Sequence, residues 1–169
     1  YNDIYFDSIA THDTTDVLTI RNTIAVTFCE AYNTKLKFGI TAFAMNECQR
    51  FLRDSVPYDP DSIFDYKWTN NTIVGGAIHK HSGANVRYHV EGKVCVVGYK
   101  IGEFDVHGKL QTQFNAGKYP MYISARAYAK SETPNWYLQH FQSNHVCWEN
   151  DFGFTYRFLG GATISYPTK

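Results

Sequence analysis

No apolar run in the chain approaches the roughly 18 residues that a membrane-spanning helix needs, so that kind of span is excluded. An excess of charge of one sign is also missing. Sixteen Lys and Arg stand against 16 Asp and Glu, and the basic residues are scattered rather than clustered. The electrostatic footprint of a nucleic-acid binder is therefore lacking. No Cys-x-x-Cys pair occurs, which removes zinc knuckles and thioredoxin-type redox motifs. Nucleophile-elbow, His-Glu-x-x-His and Walker signatures are absent too, and with them the enzyme classes that those motifs mark. Without an internal repeat, a low-complexity tract or a linker, the 169 residues are expected to form a single domain, 1–169.

What the chain does have is alternation and aromatics. Aromatic residues make up 17% of it, with 13 Tyr and 12 Phe, a share that suits strands and amphipathic contact surfaces. From about Asn85 onward, segment after segment reads in period two, the signature of strands with one apolar face. Leu18, Ile20, Ile24, Val26 and Phe28 occupy alternate positions of an earlier strand. Lys35–Ile40 forms another. Met121, Ile123, Ala125 and Ala127 are expected to face inward, with Tyr122, Ser124, Arg126 and Tyr128 outward. Trp136–Phe141 reads as a strand, and so does the stretch from Phe152 to Phe158.

The dipeptide Glu91-Gly92 is expected at a two-residue hairpin tip, pairing Tyr88 with Cys95. A second hairpin is expected to turn through Val106–Gly108, and Gly160-Gly161 to turn the chain into its last strand. Between Thr41 and Val56 the residues are mostly good helix formers, with Thr41 as cap and Pro57 as stop, so a helix is expected near 42–55. The fold class that follows is mainly β: an antiparallel β-barrel or two-layer β-sandwich of about nine or ten strands with one packed helix.

Four widely spaced cysteines, Cys29, Cys48, Cys95 and Cys147, fit two disulfides in an exported protein, with pairing open. Asn70-Asn71-Thr72 is an N-glycosylation sequon at Asn70. Together these point to a secreted, extracellular glycoprotein. The aromatic group Tyr58, Phe64, Tyr66 and Trp68, in a turn-rich region, suggests a ligand-binding surface on loops. The leading expectation is a recognition module for a glycan, a protein or a lipid headgroup, with no cofactor.

Chemistry has one further candidate seat. In His79-Lys80-His81 the two imidazoles are two residues apart and project the same way from a strand, with His89 on the adjoining strand. His79, His81 and His89 could hold a divalent metal, and His79, His81 and His107 could act as acid–base groups of a barrel enzyme. The order His-x-His, Asn85, Gly92 resembles the first metal motif of cupins. It departs from that motif at Asn85, where a Glu is usual, and at Ile73, where a Gly is usual. The resemblance implies a metal-dependent small-molecule site inside a barrel. A third reading is a homo-oligomeric coat or filament subunit with aromatics in its interfaces.

Overall fold

The computed structural model describes residues 15–32, 37–53, 65–82, 85–117, 119–142 and 147–166. Long strands dominate it: β1 (Val17–Phe28), β2 (Gly39–Arg53), β3 (Asp65–Lys80), β4 (Val86–Gly98), β5 (Phe104–Ala116) and β6 (Tyr119–Glu132). A short helix, α1 (Trp136–Gln139), and a small ribbon of β7 (His140–Gln142) and β8 (Cys147–Glu149) follow. The last strand is β9 (Thr155–Ser165). Seven strands make one antiparallel sheet in the order β1-β2-β3-β4-β5-β6-β9, each paired with its neighbour in the chain apart from the excursion through α1, β7 and β8. Mainly-β antiparallel architecture is as the alternation implied. Among the described residues β1 and β9 are the two edges of the sheet and do not pair with each other.

Several local expectations are corrected. The segment expected as a helix near 42–55 is β2, paired along its whole length with β1 and β3. Its residues alternate as well: Phe43, Met45, Glu47, Gln49 and Phe51 share one face, and Ala42, Ala44, Asn46, Cys48 and Arg50 the other. Pairing on both sides outweighs a helix propensity worth only tenths of a kcal/mol per residue. Glu91-Gly92 is no hairpin tip. It lies mid-strand in β4, opposite Gly76 and Ala77 on one side and Val106 and His107 on the other. Tyr88 therefore pairs with Leu110, not Cys95. Val106–Gly108 and Gly160-Gly161 likewise run straight through β5 and β9. Positive φ, which a tight two-residue turn demands, occurs instead at Lys37, Gly98, Gly102 and Gly117. Trp136–Gln139 is helical, and only His140–Gln142 of that segment is extended.

Glycine inside a strand has a packing reason here. A side chain at Gly75 would overlap the Phe43 ring and the Gly92 carbonyl. The aromatic ring takes the room that the glycine leaves. Between Thr72 and Ile73 the β3–β4 register shifts by one, leaving Val96 as the extra residue of a bulge.

Burial is unusual for a sheet of this size. The few buried apolar side chains include Phe51, Leu52, Cys95 and Trp136. They gather near the end of the sheet where the 133–154 excursion folds back. There Phe51 stacks on Trp136 at 5.1 Å and meets Tyr137 edge-on at 5.8 Å. The Tyr137 hydroxyl reaches the carbonyls of Leu52 (2.9 Å) and Asp16 (3.0 Å), and the Tyr99 hydroxyl donates to Gln139 Oε1 (2.7 Å).

Candidate functional site: two opposed faces of one sheet

Pairing register sorts every strand residue onto one of two faces, because directly opposed residues point the same way. One face carries the even-numbered rows of β1, β2, β3, β5 and β9, such as Ile24-Ala44-Val74-Val94-Phe104 and Leu110-Ala125-Ala162. It is apolar almost throughout and open to the surroundings: Ile24 is 77% exposed, Phe28 73% and Phe158 72%. Met121, Ile123, Ala125 and Ala127, expected inward, belong to this outer face. Among the described residues its only charged members are Arg50 and Lys80, both within three residues of a strand end.

The aromatics of this face are sorted by height. Tyr66, Trp68, Phe104, Tyr156 and Phe158 lie within three residues of one set of strand ends. Phe28, Tyr88, Phe114, Tyr119 and Tyr166 mark the opposite ends. Between the two belts stand mostly Ile, Val, Leu, Ala and Gly, interrupted by the polar row Asn22-Asn46-Thr72 and by Asn70, which hydrogen-bonds with Asn46. Phe104 and Phe114 are ten residues apart, as are Tyr156 and Tyr166. At about 3.3 Å per residue and a tilt of about 40° that spacing spans about 25 Å, the height of the apolar band on an outer-membrane barrel. Both belts are staggered in the same direction. The Phe28 row runs through Ile40, Ile78, Val90 and Gly108, yet the belt aromatic of β5 is Phe114, six residues further along. Strands therefore cross the band obliquely.

At the edge of the first belt, the Arg50 guanidinium lies over the Tyr66 ring at 4.5 Å and near Trp68 at 5.9 Å, and pairs with Asp16 at 2.7 Å. Tyr66 and Trp68 thus sit on a strand, not on a loop, while Tyr58 and Phe64 lie outside the described residues. Asn70 is also in β3, where its Oδ1 accepts from Asn46 Nδ2 at 2.7 Å. The disulfide expectation is corrected for Cys29, Cys48 and Cys95, which are free thiols. Cys48 and Cys95 point to opposite faces of the sheet, which no bridge can span. The side chain of Cys147 is outside the description.

The second face is predominantly polar and charged, with Phe43, Met45, Phe51 and Ile73 among its apolar members. Glu47, nearly fully buried, is held between Arg21 Nε (2.5 Å) and Lys100 Nζ (2.7 Å). Lys93 faces Asp105 at 3.5 Å, and Glu132 takes Lys130 at 2.6 Å and Arg157 at 3.4 Å. All of these groups but Arg157 line a cavity of about 220 Å³, whose four cations (Arg21, Lys93, Lys100 and Lys130) match four anions (Glu47, Glu103, Asp105 and Glu132). A second hollow of similar size is mostly uncharged and hydrogen-bonding, walled by Gln111, Gln113, Tyr122, Ser124 and Thr163 with Arg87 as its one charged group.

The histidines complete this face. His79 and His89 are directly opposed, and His81 follows at the strand end beside them. One ligand nitrogen from each lies within 4.8 Å of the others, and their rings are nearly parallel. His107 is joined to them through Glu91, whose Oε2 lies 3.4 Å from His89 Nε2 and 3.8 Å from His107 Nε2. The sequence brought His79, His81 and His89 to attention through their spacing. Glu91 escaped because it read as a turn residue. Glu47 and its partners escaped because nothing local marks a carboxylate whose partners are 26 and 53 positions away.

Outside the strands, Glu30 joins two neighbouring connections. Its carboxylate accepts from the His81 and Ser82 backbone amides and from the Ser82 hydroxyl, and these bonds hold it below the usual carboxylate range.

No curated protein and no solved structure matches the chain. A family model does, described as "Putative porin", over residues 1–168. A sheet with an apolar outer face, two aromatic belts and a charged inner face is what an outer-membrane-type β protein requires, and on that match the chain belongs to the family described as "Putative porin".

Proposed function

We propose that this sheet is wall of a water-filled transmembrane β-barrel that passes small polar solutes across an outer membrane. The observation that carries the reading is the exposed apolar face bounded by aromatic belts. In water, each large side chain left open there forgoes about 1.5–3 kcal/mol of burial. In lipid the same side chains are solvated by acyl chains. The opposite face supplies the complement, a continuous track of ionisable and amide groups from the histidines to Glu47. Equal numbers of cations and anions in the charged cavity favour hydrophilic solutes of either sign over one class of ion.

A bilayer leaves no backbone group unpaired, so the free edges of β1 and β9 pair with further strands in the working pore. The lipid-headgroup contact expected of the aromatic group is assigned here to Arg50, Tyr66 and Trp68, at belt height. Location follows: the protein is exported, and its place is the outer membrane.

Thiol accessibility tests the assignment of faces. In a background with all four cysteines replaced by Ser, single cysteines go in at Thr23, Gln111 and Ser124 on the polar face and at Ile24, Leu110 and Ala125 on the apolar face. With the protein in lipid vesicles, a membrane-impermeant maleimide is expected to label the first set and spare the second. Equal labelling of both sets, or recovery of the protein in the aqueous fraction, would overturn the reading.

A further inference from the structure

We infer that His79, His81 and His89 form a binding site for a divalent first-row transition metal, of which Zn²⁺ is the representative. The proposal concerns the polar face at the height of Tyr88 in the second belt, and it stands whether or not that face lines a pore. Four of the seven histidines of the chain meet there, and three can present one nitrogen each to a common point. A tetrahedral ion at about 2.0–2.1 Å from each nitrogen sets the nitrogens about 3.3 Å apart. Starting from separations within 4.8 Å, the nitrogens need to close by at most about 1.5 Å. His81 is exposed at a strand end and can make that movement.

Three further features fit a ligand role. Gly39 stands opposite His79, and a side chain there would overlap the imidazole, so the ring lies over the space the glycine leaves open. Glu30 holds the His81 and Ser82 amides, which fixes the start of the connection that carries the second ligand. Glu91 sits against His89 and His107, in the position of the carboxylate partner that orients a metal-bound imidazole.

Chemistry selects the metal class. Ca²⁺ and Mg²⁺ need several oxygen ligands; among the described residues only Glu91 stands against the three-imidazole group, since Asp105 lies beside His107 and the Glu30 carboxylate is taken up by the His81 and Ser82 amides. Lys109, directly opposite His89, and nearby Arg87 repel a hard cation further. Neutral imidazoles donate a lone pair and suit Zn²⁺, Ni²⁺, Cu²⁺ or Co²⁺. Three protein ligands leave a fourth position, open to the cavity of about 260 Å³ beside His81, Arg87 and Lys109. Water or a small anion fills it, and the two cationic side chains favour the anion.

Zn²⁺ titration of the folded full chain in detergent, followed by calorimetry, tests the site. One equivalent is expected to bind. His81→Ala, a change at an exposed position, is expected to weaken binding about 100-fold, and Glu91→Gln about tenfold. His140→Ala, outside the cluster, is expected to leave it unchanged. Co²⁺ substitution is expected to give a visible spectrum of nitrogen ligation that His81→Ala removes. Circular dichroism of each variant verifies that the sheet is retained. Absence of stoichiometric Zn²⁺ binding, or binding that His81→Ala and His79→Ala leave intact, would overturn the inference. Should His79→Ala fail to fold, His81→Ala and the Co²⁺ spectrum still decide it. Maleimide labelling of the two faces is a separate readout, so a failure here leaves the pore assignment to its own test.

Discussion

At the scale of single residues, the proposed pore puts neighbours along a strand in opposite solvents. Ala125 and Ser124 are adjacent, yet Ala125 faces the apolar side between Leu110 and Ala162, and Ser124 the polar side between Gln111 and Thr163. Ala125 is near the middle of β6, far from either belt. An Arg there must hold its charge at the centre of the hydrocarbon, at a cost of about 2–4 kcal/mol. Ser124→Arg points the same side chain at water and other polar groups, and its cost is expected to stay below about 1 kcal/mol. Urea unfolding in lipid vesicles, read by tryptophan fluorescence, measures both. Equal costs would mean that the two faces are not solvated differently. The three-His group could be anticipated from sequence because His-x-His depends only on the period of a strand. The Glu47 group could not, since its partners come from β1 and the β4–β5 turn, and a register is needed to bring them together.

At the scale of elements, the excursion from Thr133 to Phe154 is held to the sheet by few groups. Thr133 N donates to Glu103 Oε1 (2.6 Å), and the phenols of Tyr99 and Tyr137 make the bonds already described. Burial pushes both phenols above their ordinary range; charges on Asp151 and Glu103 add to the effect at Tyr99, and Asp16 adds to it at Tyr137. A raised folded value means that the folded state keeps these protons longer than the unfolded chain does. The attachment is thus fully present below the ordinary tyrosine value of about 10 and weakens as pH rises through the folded values. Limited proteolysis is expected to cut within this excursion more readily at alkaline pH. Tyr137→Phe is expected to have the same effect at neutral pH, with a loss of about 1 kcal/mol of local stability. Unchanged cleavage in Tyr137→Phe would show that packing of Trp136 on Phe51 holds the segment alone.

Strands were legible from period two, and most of their limits were not. Glu91-Gly92, Val106–Gly108 and Gly160-Gly161 all read as turns because glycine usually marks turns in water-soluble sheets. Here these glycines lie mid-strand, among small outer residues such as Ala127 and Ala162. For β2, Ala42, Ala44 and Met45 favour a helix in isolation. That preference loses to hydrogen bonds with strands on both sides.

At the scale of the whole molecule, the sequence pattern was read correctly as two-faced and wrongly as to which face is inside. Alternation reports only that two faces differ. It says nothing of whether the apolar one meets a core or a bilayer, because both are hydrocarbon-like solvents. The exposure of Val74, Val90 and Leu110, on interior strands of the apolar face, together with the aromatic belts, favours the bilayer. Connection lengths then suggest an orientation. At the Trp68 belt the strands are joined across residues 54–64, 99–103 and 133–154. At the Tyr88 belt the connections are 29–38, 81–85 and 117–118, shorter at each comparison but the second, which is equal. Outer-membrane barrels carry long connections outside and short turns in the periplasm. The Trp68 belt is therefore expected at the cell surface, and Cys29 and the histidine group at the periplasmic mouth. Cys29 is free and exposed, which makes it a native reporter. In a chain with the other three cysteines replaced by Ser, an impermeant maleimide too bulky for the pore is expected to spare Cys29 on intact cells and to label it once the outer membrane is opened. Leu138→Cys, on the exposed side of α1 at the opposite end, placed in a chain with Cys29 also replaced by Ser, is expected to label on intact cells. Labelling of Cys29 but not of Leu138→Cys before the membrane is opened would invert the assignment and place the histidine group at the external mouth.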